Sequence, residues 1–275
     1  MRIIKILSSG HSGSTVLGAV LGNLPQTIRV GEFTNFYKVV AGTLETCSCG
    51  QLPEACGFWK QVLARFDIFL LAHQLTLSDY EKIRVEVESN ILKRKPKQEH
   101  WSLYVLMTKK LMRCIAEVSG KEVIVDSSKS PARAYALSQV FTGDMLILLL
   151  TRDATGVVNS YRRKRGAFPL VPFLFQQLKE HAKFVYVLLR SKSHSERIRY
   201  EDLFSQKKMN ALLSNMKMDA SLNISRPMQN QHVIAGNRFR FQPSFSLQRG
   251  ESKKVRLPFW DRFLCWLLDI VRRLV

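Results

Sequence analysis

The stretch that decides the fold runs from Arg2 to Pro25, RIIKILSSGHSGSTVLGAVLGNLP. Ile3, Ile4, Ile6 and Leu7 make a short apolar run that reads as a buried strand. Ser8 to Ser14 form a glycine- and serine-rich turn. Val16, Leu17, Val20, Leu21 and Leu24 then recur at the spacing of one helix face. A strand that feeds a helix through such a loop is a ready anion site. Backbone N–H groups converge there, the helix N-terminus adds partial positive charge, and Gly10 and Gly13 allow a phosphate to approach closely. The loop is not the triphosphate signature G-x-x-x-x-G-K-[ST], because no lysine precedes Ser14-Thr15. It can hold an anion but lacks the usual charge for a β/γ-phosphate. A small-residue turn that merely joins two core elements is the competing reading.

Outward from this unit the alternation of strand and helix continues. Ile28 to Val30 reads as a strand ending at Gly31-Glu32, followed by a helix over Phe33 to Val40. A carboxylate just past that strand would lie near the anion loop in an open parallel sheet, although an ordinary first-turn helix acid fits as well. Helical patterns over Phe58–Leu71, Ser78–Lys93 and Glu99–Val118 make, with the loop before them, an insertion over about residues 43–118 that could cover a cleft. The alternation resumes with a strand over Glu122–Val125 that ends in Asp126-Ser127-Ser128-Lys129-Ser130. Ser130-Pro131 reads as a helix start for Ala132–Val140. Met145–Leu150 is a strongly apolar strand ending in Thr151-Arg152-Asp153, and Asp153 should cap a helix carrying Ser160. A long helix over Phe168–Arg190 and a strand over Arg197–Tyr200 follow, then a polar loop over His232–Phe245. In a last helix over Pro258–Val275, Trp260, Phe263, Leu264, Leu267, Val271 and Leu274 line one face, which is expected to dock on the core. Contact with a membrane is the alternative for that helix, given Arg262, Arg272 and Arg273 on its rim. The expected fold class is α/β: a three-layer, P-loop-like open parallel sheet flanked by helices, in a single domain over 1–275.

At 275 residues and 46% hydrophobic the chain can bury a substantial core. It begins as a strand, not as a charged and then apolar leader, and no apolar run reaches the roughly 18 residues of a spanning helix. A cytoplasmic setting is expected, with peripheral contact at the inner membrane surface as the alternative. The charge is the unusual feature: 42 Lys and Arg against 22 Asp and Glu, a formal +20. Such an excess favours polyanions, an anionic membrane surface or strongly anionic small molecules. It is dispersed, with peaks at Lys93-Arg94-Lys95, Arg162-Arg163-Lys164-Arg165 and Lys253-Lys254. No helix-turn-helix, zinc-finger or RNP-type pattern accompanies it, so no specific nucleic acid is expected.

Of the five cysteines, three cluster as Cys47, Cys49 and Cys56. A buried knot of thiols in a loop is the preferred reading, and no metal is expected to be required. Zinc held by these three with a fourth ligand from elsewhere is the alternative, weakened by the lack of a C-x-x-C pair.

Four strand ends carry polar residues of a consistent sort: Ser9 to Thr15, Glu32, Ser128-Lys129, and Arg152 with Ser160. Ligands of open α/β sheets bind outside these carboxyl ends, so the groups should converge. An anion loop, two cations, hydroxyls and one carboxylate suit transfer of an anionic group from a nucleotide without a metal.

In these same blocks the sequence resembles the sulfotransferases that use 3′-phosphoadenosine 5′-phosphosulfate (PAPS), in the branch of bacterial carbohydrate-type and tyrosylprotein-type enzymes. GHSGSTVL is similar to that family's 5′-phosphosulfate loop, R-S-G-[ST]-T-L, and TRDATGVVNSYRRKR to its 3′-phosphate motif. DSSKSPARAYAL, RYEDL, HVIAGNRFRF and the CSCGxxxxxCxFW segment from Cys47 to Trp59 also resemble family blocks, in family order. The resemblance implies that Gly10, His11, Ser12, Gly13, Ser14 and Thr15 hold the 5′-phosphosulfate, and that Arg152 and Ser160 bind the 3′-phosphate. It implies Tyr200 beside that phosphate, and Asn237 and Arg238 near the nucleotide. It further implies Glu32 as the base that takes the acceptor proton, and Lys129 on the transferring sulfuryl group. The acceptor would be a hydroxyl, of a carbohydrate first and of a lipid or small metabolite next. Where the family usually has arginine or lysine this chain has His11, so a protonated imidazole assisting the leaving group would make the rate depend on pH near neutrality. The rival readings are a P-loop nucleotide kinase and a non-catalytic basic protein that binds RNA or membrane surfaces.

Overall fold

The computed structural model describes residues 1–43, 46–218, 223–224, 228–229, 232–242, 244–247 and 257–274. From the N-terminus, β1 (Arg2–Leu7), α1 (Ser14–Gly22) and β2 (Thr27–Gly31) form the first unit. A 3₁₀ turn (Phe33–Asn35) and α2 (Phe36–Val40) lead to α3 (Gly57–Ala72), α4 (Leu77–Asn90) and α5 (Gln98–Ser119). Next come β3 (Val123–Asp126), α6 (Pro131–Val140), β4 (Met145–Thr151), α7 (Ala154–Arg165), α8 (Leu170–Arg190) and β5 (His194–Arg199). A 3₁₀ turn (Tyr200–Phe204), α9 (Gln206–Asn215), β6 (Met228–Gln229), a 3₁₀ turn (Arg238–Phe241), β7 (Ser244–Phe245) and α10 (Phe259–Leu274) complete the order.

β1 to β5 make one parallel sheet in the order β2-β3-β1-β4-β5, while β6 and β7 pair antiparallel. The chain runs outward from β1 to β2, returns through β3 and then crosses to β4. Strand direction of travel therefore switches beside β1, where a crevice opens at the carboxyl ends of the strands. Alternation along β1 assigns its side chains to two layers. Ile4 and Ile6, with Val125, Leu146 and Leu148, meet Leu17, Val20, Leu212 and Met216 on the side of α1 and α9. Ile3 and Leu7, with Ile124, Ile147 and Leu149, meet Trp59, Tyr104, Leu137 and Phe184 of the opposite helices. Each such aliphatic side chain contributes about 1.5–3 kcal/mol by leaving water, so the apolar runs commit these strands to the interior. The α/β class and the flanked parallel sheet are as the sequence implies.

Helix starts follow their capping residues. Ser130 Oγ accepts from Arg133 N at 3.1 Å with Pro131 in the first turn, and Asp153 Oδ1 accepts from Gly156 N at 2.6 Å. Three elements differ from expectation. The expected Phe33–Val40 helix is split into a 3₁₀ turn and the short α2. β5 begins at His194 and stops before Tyr200, because it is an edge strand in which only Ile198 is buried, and its polar residues carry no alternation signal. α9 has no counterpart in the sequence reading.

The last helix is docked through a different face from the one predicted. Cys265 and Leu268 are buried against α7 and α8, whereas Trp260, Phe263 and Leu267 are exposed, together with Phe259 and Trp266. The helix is apolar on two sides, so periodicity alone leaves its rotation open. Polar contacts decide it: Arg162 NH2 meets Asp261 Oδ2 at 2.8 Å, and Ala154 N donates to Asp269 Oδ1 at 3.0 Å. The side chains of Arg273 and Leu274, and Lys253-Lys254, lie outside the described residues. No helix among the described residues is long and apolar enough to cross a membrane.

Candidate active site

The turn after β1 is shaped by two left-handed residues, His11 (φ 64°) and Gly13 (φ 96°). At Gly13 a side chain is excluded twice over, by this backbone conformation and by the Tyr200 ring, which occupies the place of a Cβ. No side chain caps α1, so its first N–H groups face the turn instead of a capping oxygen. Ser12 and Ser14 are buried in this turn, Thr15 is half-buried, and Gly10 has open space around its Cα.

Arg152, at the carboxyl end of neighbouring β4, reaches over this loop. Its NH1 donates to His11 O at 3.2 Å, and the guanidinium lies 4.1 Å from the centre of the Tyr200 ring. Its buried Nε has no hydrogen-bond partner among the described residues. Ser160, two turns into α7, places Oγ 3.2 Å from His11 Nδ1, and Tyr161 packs edge-on to the same imidazole. Burial, followed by Lys164, Lys129, Arg165 and Arg152, pushes the His11 pKa below its ordinary value. The expected imidazolium is therefore disfavoured in the free protein, and His11 stands as a neutral hydrogen-bonding group at neutral pH.

On the other side of β1, Glu32 follows β2 and Lys129 follows β3. Lys129 Nζ is ion-paired with Glu32 Oε1, and both side chains are part-exposed toward the crevice. Their strand ends are tied down separately. Glu32 N donates to Ala235 O at 2.9 Å, and Thr34 N donates to Ser128 Oγ at 3.1 Å. The 232–239 segment runs alongside: Gly236 approaches Glu32, and Phe239 joins the apolar cluster of Val16 and Tyr200. Asn237 Oδ1 accepts from Phe239 N at 3.1 Å and so caps the turn that contains Arg238. Both residues thus lie on a segment that begins beside Glu32; the contacts seen for Asn237 are structural.

Beneath the pair lies a buried charge network that sequence reasoning missed. Asp126 Oδ1 accepts from Lys5 Nζ at 3.3 Å and from Ser128 N at 2.7 Å, while Asp126 Oδ2 accepts from Arg133 Nε at 2.8 Å. Arg133 NH1 continues to Glu88 Oε1 at 2.8 Å, and Arg84 NH1 meets Glu88 Oε2 at 2.9 Å. Burial opposes ionisation of Asp126, but Lys5 and Arg133 outweigh it and hold the carboxyl well below the usual range. The available signal was Lys5 itself, a lysine in the middle of an otherwise apolar strand. Arg29, buried against Gly18 and Gly22 of α1, was also overlooked; burial and then Arg240 lower its pKa to about 10, so it stays charged at neutral pH. Away from the crevice, Cys47 and Cys56 are buried as expected, whereas Cys49, expected in the same buried knot, lies close to them but exposed; His232, which had not been singled out as a ligand, joins the three.

With this geometry in view, the chain can be set beside known structures. A sulfotransferase domain from the curacin biosynthetic pathway aligns over 98% of this chain and 97% of its own, with a TM-score of 0.53 at 16% identity. The fold is that of a sulfotransferase domain. A sulfotransferase from Alicyclobacillus acidocaldarius aligns at a TM-score of 0.42 and 12% identity over 82% of this chain and 85% of its own. No protein-family model matches the sequence, and no curated protein matches it significantly. In the sulfotransferase fold seen here the loop after β1, Arg152 after β4, and the Glu32–Lys129 pair after β2 and β3 all stand at the carboxyl end of one parallel sheet.

Proposed function

We propose that this chain is a PAPS-dependent sulfotransferase of the carbohydrate-type and tyrosylprotein-type branch, which moves a sulfuryl group to an acceptor hydroxyl. The observation that carries the reading is Arg152 lying across the anion loop, bonded to His11 O at 3.2 Å, with Ser160 on the same histidine. A nucleotide with phosphates on both ends of its ribose needs two anion sites a few ångströms apart, and these residues supply them. The residues fit such a donor. Arg152 keeps a buried Nε without a partner among the described residues, and Gly10 has open space around its Cα on the loop that would receive the phosphosulfate. Neutral His11 offers a hydrogen bond, and Gly10 to Thr15 offer backbone N–H and hydroxyl groups; charge comes from Arg152 and Lys129.

Sulfuryl transfer resembles phosphoryl transfer, in which charge spreads over peripheral oxygens and gathers on the leaving phosphate, so fixed donors aimed at those oxygens are the main catalytic resource. Glu32 would take the acceptor's proton. Lys129, now paired with Glu32, would turn its charge to the oxygen that joins sulfur to phosphate, which frees the carboxylate as base. The kinase reading is disfavoured by Asp126. That residue closes β3 beside the loop strand, where a magnesium-binding acid would be sought, yet both its oxygens are taken by Lys5, Ser128 and Arg133. A sugar hydroxyl is the acceptor we propose, carried on a lipid or presented at an anionic membrane, in keeping with the +20 charge and the exposed aromatic face of α10.

Thermal denaturation with 3′,5′-ADP in the absence of magnesium tests the reading. At 100-fold excess over Kd the ligand should stabilise the protein by about 2.7 kcal/mol. ATP with magnesium should do much less. Arg152→Ala should weaken 3′,5′-ADP roughly 10- to 100-fold, the loss of one charge-assisted contact, with the ligand-free Tm unchanged. Equal or better stabilisation by ATP with magnesium, or undiminished affinity in the variant, would overturn the assignment.

A further inference from the structure

We propose that Cys47, Cys49, Cys56 and His232 form a structural zinc site that clasps the cysteine loop to the segment beside β2. The four ligand atoms all lie within 4.8 Å of one another. Cys56 Sγ is 3.8 Å from Cys47 Sγ, and His232 Nδ1 is 3.2 Å from Cys56 Sγ and 3.9 Å from Cys47 Sγ. A disulfide would need sulfurs about 2.05 Å apart. A tetrahedral ion with Zn–S near 2.3 Å and Zn–N near 2.0 Å instead sets S···S at about 3.8 Å and S···N at about 3.5 Å. The separations among Cys47, Cys56 and His232 fit the second geometry and not the first, and Cys49, on the exposed side, stands within 4.8 Å of all three. Three thiolates with one imidazole are a closed donor set of the structural kind, with no position left for a reacting water.

The surroundings are built to hold these ligands in place. Cys47 and Cys56 are fully buried, and Cys49 alone is exposed. Cys47 and Cys49 sit on a tight turn, with Gly50 N donating to Cys47 O at 2.9 Å and Gly50 in the left-handed region (φ 84°). The His232 ring is stacked on Phe58, 5.5 Å centre to centre, and its backbone carbonyl accepts from Trp59 Nε1 at 2.9 Å. Such packing fixes the ring so that Nδ1 faces the sulfurs.

The clasp acts on β2. From His232 the chain bonds to both neighbours at once: Ser48 N to Val233 O at 3.0 Å on one side, Ile234 N to Val30 O at 3.2 Å on the other. Ala235 O then receives Glu32 N. Zinc would thus lock a strand-like segment between the cysteine loop and the open edge of β2. On binding, each cysteine releases its thiol proton and His232 binds as neutral imidazole, so Zn²⁺ with three thiolates carries net charge −1 and three protons leave.

The test is metal analysis of the full-length chain purified without chelator and, separately, refolded with zinc. About one zinc per chain is expected, and its replacement by cobalt should give the absorption bands of tetrahedral thiolate coordination. Cys56→Ser and His232→Ala should each lose at least tenfold in zinc affinity, while Cys114→Ser, at a buried thiol remote from the site, keeps the wild-type content. Should the first two variants not fold, Cys49→Ser, at the exposed ligand, should still lower affinity, and stripping wild type with a chelator should lower its Tm reversibly. Zinc below a tenth of an equivalent under both preparations, a Cys47–Cys56 disulfide in the freshly purified protein, or full zinc content in Cys56→Ser would each overturn the proposal. None of these readouts depends on sulfotransferase activity.

Discussion

Among single residues, Glu32 has the most divided surroundings. Its backbone is held by Ala235, while its carboxylate is half-exposed and paired with Lys129. Nothing in the packing requires a carboxylate there, since an amide could fill the same space and accept from the same lysine. Glu32→Gln should therefore leave Tm unchanged and 3′,5′-ADP affinity within twofold of wild type, and lower kcat by about 10²–10⁴, the usual worth of a positioned base. Wild-type turnover in that variant would remove Glu32 from the chemistry. Gly13 is constrained in the opposite sense: conformation and the Tyr200 ring both forbid a side chain, so its identity is structural before it is functional.

Among elements, the charge network ties the helical insertion to the sheet beside the apolar layer they share. Lys5 on β1, Asp126 on β3, Arg133 on α6, and Glu88 and Arg84 on α4 form one buried chain of alternating sign. Removing Arg133 takes one cation from two buried carboxylates at once, Asp126 and Glu88, and breaking a buried pair costs about 3–5 kcal/mol. Arg133→Met should destabilise by that amount in denaturant unfolding. The pH dependence has a definite sign. Asp126 is held below its unfolded value of about 3.9, so its contribution is present above that pH and is lost as pH falls through the acid range. Without Arg133 the depression is smaller, and the acid-unfolding midpoint should move to higher pH. An unchanged midpoint would mean that Arg133 does not control Asp126.

For the whole molecule, the membrane-borne acceptor proposed above is tested through the +20 charge and the exposed ridge of Phe259, Trp260, Phe263, Trp266 and Leu267 on α10. A basic surface with an amphipathic aromatic helix is suited to an anionic lipid interface. Sedimentation with vesicles containing anionic lipid should show binding that falls with salt. Replacing Trp260 and Trp266 by Ser should weaken it at least about tenfold, given the transfer energy of large apolar side chains. Equal sedimentation with neutral vesicles in high salt would exclude the electrostatic part of this picture.

What the sequence by itself determined is the frame of alternating strands and helices and the polar residue at each strand end. Both are local: a run of apolar residues, a capping serine or aspartate and a glycine turn act within one element, so Ser9–Thr15, Glu32, Lys129 and Arg152 could be placed at the crevice before any contact was known. Tertiary structure alone decided which remote residues meet. His232 lies 185 positions from Cys47, α10 turns on one ion pair and one backbone-to-carboxylate hydrogen bond that no periodicity encodes, and Lys5 is tolerated inside an apolar strand because Asp126 and the Ser128 carbonyl are carried to it by the pairing of β1 with β3. Periodicity reports which side of an element avoids water, whereas partners for charges, thiols and a second apolar face are chosen by how the packed layers bring distant segments together.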